Sequence, residues 1–81
     1  MPVLTIYGKP GCHLCEEARA AVLEVCARRG VELVEVDVTL DPVLNRRYGE
    51  RIPVLALDGE DLFEYFVDLD ALEDRLDKVT A

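Results

Sequence analysis

A Cys-His-Leu-Cys motif at residues 12–15 stands between a β-type run and a helical pattern. The apolar run 3–7 predicts a strand, and the Gly- and Pro-containing stretch 8–11 predicts a tight loop after it. Helical periodicity then extends from about Cys12 to Arg29, with Gly30 placed to end the helix. A sulfur at a helix N-terminus lies among unpaired N–H groups, which favour a thiolate. The motif therefore predicts reactive sulfur chemistry within a strand–helix unit.

The rest of the chain completes one small α/β domain, predicted to span residues 1–81. Residues 31–38 predict a strand parallel to the first, with Val34, Val36 and Val38 on one face. A short helix opens at Asp41-Pro42 and closes at Gly49. The Asp58-Gly59 pair predicts a hairpin between strands 54–57 and 62–66, and Asp68 caps a last helix. The order β-α-β-α-β-β-α, with a mixed four-stranded sheet flanked by helices, is that of a minimal thioredoxin-like fold.

Two helical faces supply the predicted core. On the first helix the apolar positions follow helical spacing, and on the last helix they lie on one side. The expected core residues are Leu14, Ala18, Ala21, Val22, Val25 and Cys26 on the first helix, and Leu69, Leu72, Leu76 and Val79 on the last. Cys26, three turns beyond Cys15, is interpreted as a core cysteine.

Charge and hydropathy narrow the class of partner. The chain of 81 residues has a net charge of −8, and residues 58–81 hold nine acidic side chains against two basic ones. No basic stripe is available for nucleic acid or an anionic membrane surface. No apolar run approaches the ~18 residues of a membrane span, and no leader pattern is recognisable at the N-terminus. We expect a cytoplasmic, monomeric protein that binds neither nucleic acid nor membrane.

The two cysteines suit thiol–disulfide exchange. Their spacing puts both sulfurs on one side of the first helical turn, within disulfide reach. Cys12 would attack a disulfide and Cys15 would resolve the mixed disulfide. Other interpretations remain open: a metal or iron–sulfur site, a non-catalytic redox sensor, or two unreactive buried cysteines. Zinc held within one chain would need four ligands, and Cys26 is too far along the helix to join Cys12, His13 and Cys15.

The sequence resembles the glutaredoxins, and in particular short bacterial glutaredoxin-like proteins. The resemblance rests on residues 9–16 (KPGCHLCE), residues 51–55 (RIPVL) and the hairpin turn. It implies a cis bond before Pro53, with the Ile52 backbone exposed to a bound peptide or glutathione. It also implies that Lys9 reaches a carboxylate of glutathione. His13 and Leu14, between the cysteines, would contact substrate, although His13 could also act on the thiolate or only face solvent.

The chain departs from glutaredoxins at two places. Between the cysteines it has His13 and Leu14, where the family usually has proline and an aromatic residue. After the hairpin, Phe63 and Glu64 occupy the place of the glycine pair that receives glutathione, and Asp68 is the nearest equivalent of the Asp that follows. The chain also lacks the Trp that precedes the thioredoxin motif. We therefore expect a thiol–disulfide oxidoreductase with no bound cofactor, which reduces protein or small-molecule disulfides and binds glutathione weakly.

The source of electrons stays open between glutathione and a thioredoxin-reductase-like reductant.

Overall fold

A computed structural model describes residues 2–80, with side chains described through residue 79. It contains four strands, three α-helices and one 3-10 turn. In chain order these are β1 (Val3–Gly8), α1 (His13–Arg29), β2 (Glu32–Asp37), the 3-10 turn (Val38–Leu40), α2 (Pro42–Tyr48), β3 (Val54–Leu57), β4 (Glu60–Glu64) and α3 (Leu69–Thr80). The sheet order is β2-β1-β3-β4, with β1 and β2 parallel and the other pairs antiparallel. The predicted thioredoxin-like fold is confirmed.

Local turn and cap signals account for most of the element boundaries. Gly30 ends α1 in the left-handed conformation, with φ of 67°. The Asp41 carboxylate accepts a hydrogen bond of 2.9 Å from the Val43 N–H, which caps α2. Asp58 and Gly59 both have positive φ, the geometry of a tight hairpin turn. These chain-local features are therefore where sequence prediction succeeded.

The hairpin turn is also tied to the beginning of β1. The Asp58 N–H donates to the Val3 carbonyl over 2.9 Å, and the Val3 N–H donates to the Asp58 carboxylate over 2.9 Å. β1 runs from this pair to the loop before Cys12, so the turn and the dithiol lie at opposite ends of the strand. The fold thus has a hairpin end and a dithiol end.

Buried side chains form two clusters. The helix cluster lies between the sheet and helices α1 and α3, and the site cluster lies at the dithiol end. The helix cluster comprises Leu4, Ile6, Ala18, Val22, Val25, Cys26, Val31, Leu55, Leu57, Leu72 and Leu76. The site cluster comprises Cys15, Val38, Tyr48, Ile52 and Val54, with Tyr7, Cys12 and Leu44 packed against it. Alternation along β1 separates them, since Leu4 and Ile6 join the first and Tyr7 the second.

The structure corrects several predicted faces. Cys15, rather than Leu14, is the first buried residue of α1, and Leu14 is 37% exposed. On α3 only Leu72 and Leu76 are buried among the four predicted leucine and valine positions, while Leu69 and Val79 are exposed. The periodicity located each helix but overestimated the width of its covered face.

The second and fourth strands also differ from the predicted ones. β2 ends at Asp37, Val38 is buried in the 3-10 turn, and Val34 is exposed. Val34 is uncovered because β2 is an edge strand and the seven-residue helix α2 covers little of its outer face. β4 begins at Glu60 and ends at Glu64, so Phe66 lies beyond it and is exposed.

Ion pairs join α1 to α3 outside the helix cluster. Arg29 donates to Glu73 over 2.9 Å and to Asp77 over 2.7 Å, and Arg28 approaches Glu73 at 3.4 Å. The pairing lowers the pKa of the Glu73 carboxyl.

Among the residues that the structure describes, no helix is long and apolar enough to cross a membrane.

Candidate active site

The Cys12 sulfur lies at the N-terminus of α1 and accepts two hydrogen bonds. Cys12 is the N-cap residue, in extended conformation, so its side chain turns back over the first helical turn. Its sulfur accepts from the Cys15 N–H at 3.3 Å. The Cys15 thiol also donates to it, with the two sulfurs 2.6 Å apart. An acceptor at a helix start, with two donors directed at it, suits a sulfur that reacts as its anion.

Cys15 is the buried member of the pair. The residue as a whole is 6% exposed. Burial, followed by the hydrogen bond to Cys12, raises the pKa of the Cys15 thiol to about 11, although the nearby Lys9 opposes that shift. Cys15 therefore holds its proton at neutral pH and donates it toward Cys12. This asymmetry separates an outer sulfur that accepts from an inner sulfur that donates.

The residues around the motif occupy different positions. Leu14 is exposed beside the cysteines and presents an apolar side chain to solvent. His13 is exposed, and its Nε2 lies 3.1 Å from a carboxylate oxygen of Glu17, one helical turn along α1. Lys9 is exposed and lies close enough to Cys15 to influence its titration. The structure thus gathers Lys9 and Leu14 around the dithiol, whereas it pairs His13 with Glu17.

Ile52 belongs to the site cluster with both cysteines, and its peptide bond to the buried Pro53 is cis, as the resemblance implied. Ile52 as a whole residue, backbone included, is only 8% exposed. The Pro53 carbonyl accepts a 2.9 Å hydrogen bond from the Tyr65 N–H. Within residues 2–80 no hydrogen bond engages the Ile52 N–H or carbonyl. That peptide unit is therefore unpaired in a residue that the surrounding packing largely covers.

Sequence reasoning missed an aromatic support beneath the site. The rings of Tyr7 and Tyr48 stack with centroids 4.3 Å apart. The guanidinium groups of Arg47 and Arg51 lie 5.2 and 5.3 Å from the Tyr48 centroid, within cation–π range. The Tyr48 hydroxyl donates to Asp61 at 3.3 Å, and burial with that carboxylate raises the pKa of Tyr48. No chain-local signal predicts this contact, because Tyr7 and Tyr48 come from different elements.

The end of β4 is occupied by two bulky side chains. Phe63 is half-buried and packs against the helix cluster. Glu64 forms an ion pair with Arg51, which also donates to the Arg47 carbonyl over 3.0 Å. Glu64 is thus a negative charge with a neighbouring cation, rather than an isolated one. Phe63 and Glu64 thus present an inward ring and an outward carboxylate at the end of β4.

An open groove of about 290 Å³ lies on the other side of Cys15, toward β2. Its walls include Ile6, Gly8, Lys9, Cys15 and Val36. Arg19 and Glu35 also line it and form an ion pair with each other.

In the described part of the chain, no group of three or more His, Cys, Asp or Glu side chains is arranged to hold a metal ion. Cys26 lies in the helix cluster, where burial raises the pKa of its thiol.

Comparison with known proteins covers almost the whole chain. The sequence pattern of the Glutaredoxin-like domain (DUF836) family matches residues 3–77. Uncharacterised proteins of Mycobacterium tuberculosis and Mycobacterium bovis are each 28% identical over 72 residues, which span 83% of this chain and 74% of the relative. The names of these relatives assign no activity.

Solved structures share the fold. A protein of Nitrosomonas europaea is 33% identical, with a TM-score of 0.78 over 91% of this chain and 89% of that one. A protein of X. campestris is 32% identical, with a TM-score of 0.71 over 93% and 96% of the two chains. A variant of the thioredoxin of Halobacterium salinarum is 28% identical, with a TM-score of 0.74 over 99% and 75%. The comparisons support a redox-type domain with a thioredoxin-like fold.

Proposed function

The chain belongs to the glutaredoxin-like domain family, and on that premise we propose that it is a thiol–disulfide oxidoreductase with Cys12 as nucleophile and Cys15 as resolving thiol. One observation carries the proposal. The Cys12 sulfur caps α1 and accepts hydrogen bonds from both the N–H and the thiol of Cys15. That arrangement prepares one sulfur to attack and places the second next to it.

In the first step the Cys12 thiolate attacks one sulfur of a substrate disulfide. A bond forms between Cys12 and that sulfur, the substrate disulfide breaks, and the second substrate sulfur leaves as a thiolate. The helix N-terminus and the Cys15 N–H, 3.3 Å from the Cys12 sulfur, stabilise the charge before attack. The product is a mixed disulfide between protein and substrate.

In the second step Cys15 releases the substrate. The Cys15 thiol loses its proton to solvent, and its thiolate attacks the Cys12 sulfur of the mixed disulfide. The bond to substrate breaks, and the substrate leaves as a second thiolate. The substrate disulfide has then been reduced by two electrons, and the protein dithiol has been oxidised to a Cys12–Cys15 disulfide. Because burial raises the pKa of Cys15, loss of this proton limits the rate of the step at neutral pH.

The surface around Cys12 favours an extended peptide disulfide as substrate. The Ile52 peptide unit offers a donor and an acceptor, and exposed Leu14 offers apolar contact on the other side of the motif. Backbone pairing at a strand end, joined to one apolar contact, is a sequence-tolerant way to bind polypeptide. Protein disulfides are therefore the proposed substrates, with small disulfides as weaker ones.

The reductant that regenerates the dithiol is either glutathione or a thioredoxin-reductase-like protein. Lys9 and the Ile52 backbone supply a cation and a pairing edge for glutathione. Phe63 and Glu64 fill the region where its other end would approach the backbone. Glutathione is thus proposed as a weakly bound reductant, and no bound cofactor is required.

Trapping separates the two cysteine roles. Cys15→Ser keeps the attacking sulfur but removes the resolving one, so it should accumulate mixed disulfides with a peptide disulfide, detected by intact mass. Cys12→Ser should accumulate none, and Cys26→Ser is the matched control, because it removes a buried thiol far from the site. Equal trapping by Cys12→Ser and Cys15→Ser would contradict the assigned order.

A turnover assay then identifies the reductant. The reduction of a peptide disulfide is followed with glutathione and its reductase in one arm, and with thioredoxin reductase in the other. The proposal requires turnover above the uncatalysed rate in at least one arm. A protein that forms its Cys12–Cys15 disulfide yet is inactive in both arms would instead be a redox sensor.

A further inference from the structure

Gly8 is the last residue of β1, and it faces the resolving cysteine. Alternation along β1 puts Leu4, Ile6 and Gly8 on the face that packs against α1. Leu4 and Ile6 fill that space with large side chains. At Gly8 the first turn of α1 comes so close to the strand that the space is taken by Cys15.

A side chain at this position would contact Cys15 at short range. A Cβ built on Gly8 lies 3.1 Å from both the Cβ and the Sγ of Cys15, whereas ordinary contacts of this kind fall at 3.4–4 Å. Gly8 does not have positive φ, so the backbone itself would accept alanine. What glycine supplies here is therefore space rather than backbone freedom.

We propose that Gly8 is a positioning residue for the dithiol: because it has no side chain, the Cys15 thiol can lie beside Cys12 at the distance that disulfide closure needs. This inference rests on the proposed function, since it concerns the resolving step. The sulfurs are 2.6 Å apart, and a disulfide requires about 2.05 Å. A methyl group at residue 8 forces Cys15 to move by a few tenths of an ångström, and the pair loses its alignment.

The open groove beside Cys15 fits this interpretation. Gly8 and Cys15 are both part of its wall, so the missing side chain leaves space on the β2 side of the sulfur as well. A larger residue at position 8 would fill that space and press on the Cys15 side chain from the strand side.

The reaction that measures positioning is equilibration with dithiothreitol. The protein disulfide plus reduced dithiothreitol gives the protein dithiol plus the cyclic disulfide of dithiothreitol, so two electrons and two protons pass to the protein. The equilibrium constant reports how well the two sulfurs are held together, and it needs no substrate. An ångström of misplacement can cost about a hundredfold in such proximity effects.

The expected result is graded. Gly8→Ala should weaken disulfide formation about tenfold in this equilibrium, and Gly8→Val should weaken it further. Alkylation of Cys12 by iodoacetamide in the reduced protein should change less than the disulfide equilibrium, because Cys12 keeps the hydrogen bond from the Cys15 N–H. Gly30→Ala is the control, since it strains a positive-φ position at the far end of α1 and should leave the equilibrium unchanged.

A double-mutant cycle covers the case in which the variants are destabilised. Gly8→Ala should raise the unfolding equilibrium constant several-fold more in the wild-type background than in Cys15→Gly, because the second variant removes both the Cβ and the Sγ that the new methyl group meets. An unchanged disulfide equilibrium in folded Gly8→Ala, or equal effects in both backgrounds, would overturn the role of Gly8. Wild-type protein that closes its disulfide but turns over no substrate would overturn the proposed function alone.

Discussion

The two buried clusters of this protein differ in composition and in surroundings. The helix cluster is almost wholly aliphatic and is flanked by the ion pairs between α1 and α3. The site cluster combines a thiol, stacked tyrosines and a cis-proline loop, and an open groove reaches Cys15, one of its members. The groove also touches Ile6 of the helix cluster, but only the site cluster reaches the surface at a thiol, that of Cys12.

This difference suggests that stability and chemistry are carried by separate parts of the molecule. In the helix cluster each side chain stabilises the folded state by removing apolar surface from water. In the site cluster burial serves another purpose, because it holds the Cys15 thiol protonated at neutral pH. A substitution in the first cluster should therefore change unfolding, and one in the second should change exchange chemistry.

The largest expected effect is on stability. Leu72→Ala removes a fully buried side chain from the helix cluster and should cost about 2–5 kcal/mol in the free energy of unfolding. Leu69→Ala, on the exposed side of the same helix, should cost under about 1 kcal/mol. Denaturant unfolding measures both. Disulfide exchange by the folded fraction of Leu72→Ala should stay within about twofold of wild type, and a larger loss would mean that the clusters are coupled.

The second effect concerns pH. Because the pKa of Cys15 is raised to about 11, its thiolate fraction grows about tenfold for each pH unit between 7 and 9. Release of substrate from the mixed disulfide should therefore accelerate about a hundredfold over that range. Burial, the largest cause of the shift, persists in the mixed disulfide, where the Cys12 thiol is no longer present.

Stopped-flow measurement of substrate release checks this dependence. A rate that levels off below pH 8 would show that Cys15 ionises more readily than its burial predicts. It would also remove the distinction between a site cluster that uses burial for chemistry and a helix cluster that uses it for stability.

A smaller effect is expected at the aromatic support. Tyr48→Phe keeps the stack on Tyr7 but removes the hydrogen bond to Asp61, which should cost about 0.5–1.5 kcal/mol of stability. Tyr65→Phe is the matched control, since its hydroxyl bonds the Glu50 carbonyl at an exposed position. Thermal unfolding compares the two. Equal losses of stability would indicate that the hydrogen bond of Tyr48 to Asp61 stabilises the fold no more than the exposed hydrogen bond of Tyr65 to the Glu50 carbonyl.

The smallest effect concerns glutathione. Glu64→Gly should raise glutathione-coupled turnover about two- to fivefold, because it removes a carboxylate and the side chain that fills the approach. Glu64→Gln separates the two causes, since it keeps the bulk and removes the charge. The assay runs beside a standard glutaredoxin, and wild-type turnover equal to that standard would show that the missing glycine pair is unimportant.

The sequence predicted those features whose cause lies within a few residues. The dithiol at a helix start, the Asp41 cap and the Asp58-Gly59 turn each depend on neighbouring backbone, and each appears in the structure. The fold class followed from the order of these elements. The roles of the site residues stay predictions, although the structure brings Cys12 and Cys15 together.

Features that depend on two distant elements could not be predicted in the same way. The stack of Tyr7 on Tyr48 and the contact of Gly8 with Cys15 exist only once strand and helix are packed. Similarly, the two-residue period of a strand places Val34 and Val36 on one face of β2. It does not show that β2 lies at the edge of the sheet, where that face is less covered. The pairing of Glu64 with Arg51 depends on how β4 passes the loop before β3.

The reciprocal hydrogen bonds between Val3 and Asp58 have a practical consequence for attaching this protein to a surface. β1 runs six residues from that pair to its end near Cys12, a distance of about 20 Å. Gly59 is exposed at the hairpin end. A linker inserted there would anchor the molecule to an electrode or a bead with the Cys12 end directed toward the solution.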